Sequence, residues 1–136
     1  MQYSGAIVDG QMHGDGRMEY ENGEVYEGHW EHGKRHGSGT YTFEDGTVFT
    51  GSWENDKING VGVSNYANGN VYKGEYVNGR IHGQGEFRFA DGDRYEGEWR
   101  NGTMHGQGTY YYADGDRYEG QWQHDKRHGE GKMTYV

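Results

Sequence analysis

The sequence predicts an all-β protein: an elongated, single-layer antiparallel meander of β-hairpins, solenoid-like, with right-handed strand twist and an aromatic groove. Three observations predict it. The chain repeats itself every 23 residues. Within each repeat, aromatic and polar residues alternate with a period of two, the mark of a strand with one covered face. Between the alternating stretches stand Asn-Gly and Asp-Gly pairs, which supply the positive φ angles of tight hairpin turns.

The period is read first from Tyr3, Tyr26, Phe49, Tyr72, Tyr95 and Tyr118, which define repeat position 1. Position 3 is Gly in all six copies, from Gly5 to Gly120. Position 5 is Ile7, Trp30, Trp53, Tyr76, Trp99 and Trp122. Position 11 is His except for Asn59, and positions 12 and 14 are always Gly. Position 18 is aromatic throughout, from Tyr20 to Tyr135. Positions 3, 8, 12, 14 and 21 hold all 27 glycines, so none remains for a separate phosphate-binding loop. The first strand of each repeat covers positions 1–6, and the second lies around positions 14–18. Pairs such as Asn78-Gly79 turn the hairpin, and pairs such as Asn68-Gly69 join one repeat to the next. Twelve strands at ~4.8 Å each extend ~53 Å. A register in which position 5 faces 14, and 3 faces 16, sets each large ring opposite a bare glycine.

The pattern Tyr-x-Gly-x-Trp-x-x-Gly-x-x-His-Gly-x-Gly resembles the MORN (membrane occupation and recognition nexus) repeat. Its clearest copy runs Tyr95-Glu96-Gly97-Glu98-Trp99-Arg100-Asn101-Gly102, continued by His105-Gly106-Gln107-Gly108. The resemblance covers residues 3–136, and residues 1–136 are read as a single array with repeats 3–25, 26–48, 49–71, 72–94, 95–117 and a shortened 118–136. Asp56, Asn59 and Ser64 make the third copy the most divergent. The resemblance implies a scaffold: related repeats occur in cytoskeletal, ciliary and membrane-junction proteins, and beside catalytic domains of which this chain has none.

Composition narrows the function classes. Hydrophobic residues are only 30%, but aromatics reach 15% and there is no Pro, unlike a flexible linker. The absence of Cys removes disulfides and thiolate metal sites. The net charge of −9 opposes nucleic-acid binding and disfavours anionic membrane. With no apolar run of membrane-spanning length and no signal-like segment, a cytoplasmic location is expected, and the MORN resemblance implies association with cytoskeleton or cilium. The hairpin turns carry Lys34, Arg35, Lys57, Arg80, Lys126 and Arg127. The turns between repeats carry Glu44, Asp45, Asp91, Asp93, Asp114 and Asp116. One long edge is therefore expected to be basic and the other acidic, tempered by Arg94 and Arg117.

No enzyme chemistry is expected. The four serines occupy four different repeat positions, and a deep site with shifted pKa values is hard to build on one open sheet. No cofactor or metal is expected. Equivalent histidines of adjacent repeats stand ~9.5 Å apart, too far to share an ion. His29 with His32, or His124 with His128, could complete a metal site only across an interface, and the histidines otherwise brace the turns.

The functional candidate is the aromatic face. A groove for an extended or helical segment of a protein partner is expected from Trp30, Tyr41, Phe49, Trp53, Ser64, Tyr66, Tyr72, Tyr76, Phe87, Tyr95, Trp99, Tyr110, Tyr118 and Trp122. The same rings also serve as the sheet's core. Ser64 replaces a large residue and is expected to leave a dent rimmed by Phe49, Trp53, Tyr66 and Tyr76. A partner side chain would dock there. Alternatives are a phospholipid adaptor or a self-assembling element, with homodimers forming through edges or array ends. The unprotected terminal strands suit either pairing with another copy or continuation of a longer array.

Overall fold

A computed structural model describes residues 1–136. The chain is all-β, with twelve antiparallel strands in one open sheet and no helix. The strands are β1 (Gln2–Val8), β2 (Gln11–Glu19), β3 (Val25–Glu31), β4 (Lys34–Thr42), β5 (Val48–Glu54), β6 (Lys57–Asn65), β7 (Val71–Val77), β8 (Arg80–Arg88), β9 (Arg94–Arg100), β10 (Thr103–Tyr111), β11 (Arg117–Gln123) and β12 (Lys126–Thr134). Spatial order follows sequence order, as a meander of hairpins requires.

The hairpin turns use the positive φ that the sequence provides. Asn78 and Gly79 sit at φ 50° and 82°. Asp56 and Asp125 adopt φ 71° and 67° where the other repeats have Gly. Both aspartates use the position. The Asp56 carboxylate accepts from the Arg35 backbone N–H at 2.8 Å, and Asp125 accepts from the Met104 N–H at 2.7 Å.

The register corrects the sequence expectation. Position 3 faces 14 and position 1 faces 16, as in Gly28↔Gly39 and Tyr26↔Tyr41. Trp30 pairs with Arg35, not Gly39. The cause is a bulge. The tight turn fixes Trp30↔Arg35, and the second strand then spends two extra residues before Gly28↔Gly39. The position-12 glycine bends this stretch, with Gly37 at φ 79°.

The bulge explains two residue choices. It leaves His29 of position 4 unpaired across its own hairpin, and the Tyr26 hydroxyl donates to the His29 carbonyl at 2.8 Å. The same bond recurs from Tyr72 to Glu75 and from Tyr95 to Glu98. To reach that carbonyl the tyrosine ring lies across the facing glycines. A Cβ on Gly28 would stand 2.5 Å from the Gly39 Cα, and one on Gly39 would run into the Tyr26 ring. The ring thus lies over bare backbone, but it is the position-1 ring that does so.

Successive hairpins are stitched by tryptophan. Trp30, Trp53, Trp99 and Trp122 donate from Nε1 to Gly16, Gly39, Gly85 and Gly108 carbonyls of the preceding repeat at 3.1–3.2 Å. Each indole meets tyrosine or phenylalanine rings edge-on, as Trp53 does with Tyr26 at 5.1 Å and Phe49 at 5.7 Å. Such edge contacts are worth roughly 0.5–1.5 kcal/mol beyond burial. This single aromatic layer is the core.

Candidate functional site: the aromatic face and its two edges

The bulge and the two-residue period divide the expected groove residues into two sets. Trp30, Tyr41, Phe49, Trp53, Ser64, Tyr72, Tyr76, Tyr95, Trp99, Tyr118 and Trp122 are buried. They are structure first, because each ring is covered by its neighbours. Tyr66, Phe87 and Tyr110 are half-buried and present ring surface. Position 18, which the expected groove omitted apart from Tyr66, supplies the rest: Phe43, Phe89 and Tyr112 are also half-buried. The invariant aromatic character of position 18 was the available signal. The mistaken register set it opposite position 1, inside the ladder, whereas it stands beyond the last pair at the edge.

These accessible rings form a row. Tyr66 stacks on Phe87 at 5.7 Å, Phe87 meets Phe89 at 4.7 Å, Phe89 meets Tyr110 at 5.8 Å, and Tyr110 meets Tyr112 at 4.7 Å. A shorter row joins Tyr20, Tyr41 and Phe43 at 6.0 and 4.7 Å. The break between them is Ser64. A groove of about 800 Å³ opens over Phe87, Phe89, Trp99, Met104, Tyr110, Tyr112 and Trp122, reaching Asp125, Lys126 and Arg127.

The dent at Ser64 exists as a depression of about 480 Å³ lined by Phe43, Phe49, Ile58, Ser64, Tyr66 and Tyr76, among others. Trp53, expected on its rim, is absent from the lining. Its indole is drawn toward the second repeat by the bond to the Gly39 carbonyl. Ser64 is only 5% exposed, and its hydroxyl shares a hydrogen bond with that of Tyr76.

Burial raises the hydroxyl pKa of these rings. Tyr26 is pushed up to about 12. Tyr41 reaches about 12 by burial, reinforced by the Glu24 carboxylate to which it donates at 2.6 Å. Tyr72, Tyr76, Tyr95 and Tyr110 are raised as well, burial being the leading cause in each. Glu24 is held below the usual carboxylate range by that tyrosine hydroxyl and by the Glu44 N–H.

The two long edges are laced by different side chains. On the inter-repeat edge, position 22 reaches the next turn: Asn70 accepts from Ala90 N–H and Asp93 from Ala113 N–H, both at 2.8 Å. On the hairpin edge, position 11 does so. His36 and His82 accept through Nδ1 from Asn55 and Asn101 N–H at 3.4 and 3.3 Å, and Asn59 substitutes from its amide oxygen at 3.2 Å. His36 and His82 therefore brace turns, whereas the equivalent Nδ1 of His105 is buried without a partner. No three His, Asp or Glu side chains are grouped closely enough to hold an ion.

Charge is also rearranged. Arg35 leaves the basic edge: its guanidinium lies 4.8 Å from the Trp53 ring and its Nε 3.2 Å from Asp56. Arg94 and Arg117 do not temper the acidic edge on the aromatic side. Arg94 pairs with Glu86 and Glu96 on the opposite face and lies over Tyr111, while Arg117 Nε stands 2.9 Å from Glu119.

The MORN repeat family matches residues 3–25, 26–48, 49–71, 72–94, 95–117 and 118–136. The chain belongs to the MORN repeat family. MORN repeats are interaction modules, and here they make up nearly the whole chain. No curated protein matches the chain in sequence. Among solved structures, the chain is similar to the TCP domain of Drosophila melanogaster SAS-4 in complex with a Proline Rich Motif of Ana2. The TM-score is 0.53 and the identity 17%, covering 90% of this chain and 72% of that one. The TCP10c domain of Drosophila Sas-4 aligns at TM-score 0.46 and 17% identity, over 90% and 79%. The likeness is one of fold. No helix is long and apolar enough to cross a membrane.

Proposed function

We propose that this MORN array is a non-catalytic scaffold that binds an extended segment of a partner protein across its aromatic face. The supporting observation is the half-exposed row Tyr66, Phe87, Phe89, Tyr110 and Tyr112, beside an open groove of about 800 Å³ on a face against which no other layer packs. Aromatic surface of this kind on an otherwise polar protein marks an interaction site. The TCP domain of SAS-4, of like fold, is in complex with a peptide motif, which fits the same use of such a sheet. A cytoskeletal or ciliary partner in the cytoplasm is the reading we infer from the company MORN repeats keep.

A phospholipid adaptor is the second reading, and the acidic rim beside the ring row opposes it electrostatically. Dimerisation through edges or ends is a third, which light scattering against concentration tests.

The rings to mutate are Phe89 and Tyr112, since the buried Trp53 and Trp99 report on folding. Peptides selected from a displayed library against the full chain should bind it and lose about tenfold in affinity on Phe89→Ala or Tyr112→Ala, with the melting temperature little changed. Affinity unchanged from the unmutated chain in both variants, or capture by anionic vesicles in flotation with no peptide selected, would overturn the reading.

A further inference from the structure

The spacing of the ring row constrains what can lie along it. Equivalent rings in neighbouring repeats are separated by two strands, ~9.5 Å. A left-handed polyproline II helix advances ~9.3 Å in one three-residue turn. The two periods differ by ~0.2 Å per repeat, so every third residue of such a segment meets an equivalent ring step. An α-helix returns to the same face after seven residues, ~10.5 Å, and falls ~2 Å out of step over the two steps from Tyr66 to Tyr112. A β-strand advances ~10 Å in three residues, but its third residue points to the opposite face. Strand addition is also closed on this face, because the strands between β1 and β12 already pair on both sides. A polyproline II backbone needs no such partners, being solvated throughout.

Charge selects the intervening residues. The row runs beside the inter-repeat turns, which carry Asp91, Asp93, Asp114 and Asp116. The arginines that could neutralise them, Arg94 and Arg117, are engaged on the far face.

Building on the partner-segment reading, we propose that the occupant is a basic polyproline II segment. It carries proline or another apolar residue at every third position and Lys or Arg between, and it sits one turn per repeat from Tyr66 to Tyr112. Ser64 ends the track, because it removes the ring that would continue the row toward Phe43.

The test uses the full chain and three labelled peptides of about 12 residues, roughly four polyproline II turns. The first has proline at every third position with arginine between. The second has the same composition with prolines alternately two and four apart. The third is an amphipathic helix of matched apolar content and charge. Fluorescence anisotropy should show the first binding at least about tenfold tighter than the others, and weakening with added salt. Phe89→Ala should cost the first peptide about tenfold at unchanged melting temperature. Equal binding by the second or third peptide overturns the one-turn-per-repeat register while leaving a partner segment in place. An unaffected Phe89→Ala complex overturns the site. If no peptide binds, and library selection also yields none, the partner-segment reading falls with it.

Discussion

Tyr76 and Ser64 are two departures from the repeat that form one local structure. Where four of the repeats carry Trp at position 5 and the others a larger residue at position 16, Tyr76 on β7 and Ser64 on β6 share a hydroxyl–hydroxyl hydrogen bond. Tyr76 cannot make the indole bond to the preceding glycine carbonyl, and Ser64 cannot fill the aromatic row. Each supplies what the other lacks, and both are 5% exposed.

A double-mutant cycle should therefore detect coupling. Tyr76→Phe and Ser64→Ala each strand a buried hydroxyl, at a cost of about 1–3 kcal/mol. The double variant strands none, so its loss should fall short of the sum by at least about 0.5 kcal/mol in denaturant unfolding. Additive losses would show that the two hydroxyls do not depend on each other.

Glycines of the same repeat should differ in tolerance. A Cβ at Gly85 would run into the Tyr72 ring and break the bond from Tyr72 to the Glu75 carbonyl. One at Gly79 would meet nothing, and only its φ of 82° is strained. Gly79→Ala should cost about 1–2 kcal/mol. Gly85→Ala should cost clearly more, because the Tyr72 ring has to move. Equal melting temperatures would contradict the ring-over-glycine packing.

Alkali should unfold the array cooperatively. Tyrosine hydroxyls titrate near pH 10 in an unfolded chain. In the fold those of Tyr26 and Tyr41 are pushed up to about 12. The folded state thus holds these protons more tightly. Their contribution is complete below pH ~10 and is lost as pH rises toward about 12, by at most about 1.4 kcal/mol per tyrosine per pH unit. Tyrosinate absorbance and far-ultraviolet circular dichroism should change together in that window. Smooth ionisation of every tyrosine near pH 10 with the sheet intact would sink the prediction.

The repeat, the number and order of the strands and the turn residues were legible in the sequence, but the second strand of each repeat runs over positions 9–17 rather than starting near position 14. Local backbone chemistry fixes them: alternation assigns each residue to a face, and Asn-Gly or Asp-Gly places each reversal. The sequence also placed the aromatic rings on one face and a shallow break at Ser64. It could not decide the register. A slip of two residues keeps every side chain on its face, so position 3 opposite 14 and position 3 opposite 16 share one alternation pattern. Only the assembled sheet chose between them, through the bulge at Gly37 and its equivalents and the hydroxyl bond from Tyr26 to the His29 carbonyl. That choice buried Trp53 and Trp99 and left Phe89 and Tyr112 half-exposed. Which aromatic rings are core and which are available to a partner is a property of packing between strands, and no single strand's sequence contains it.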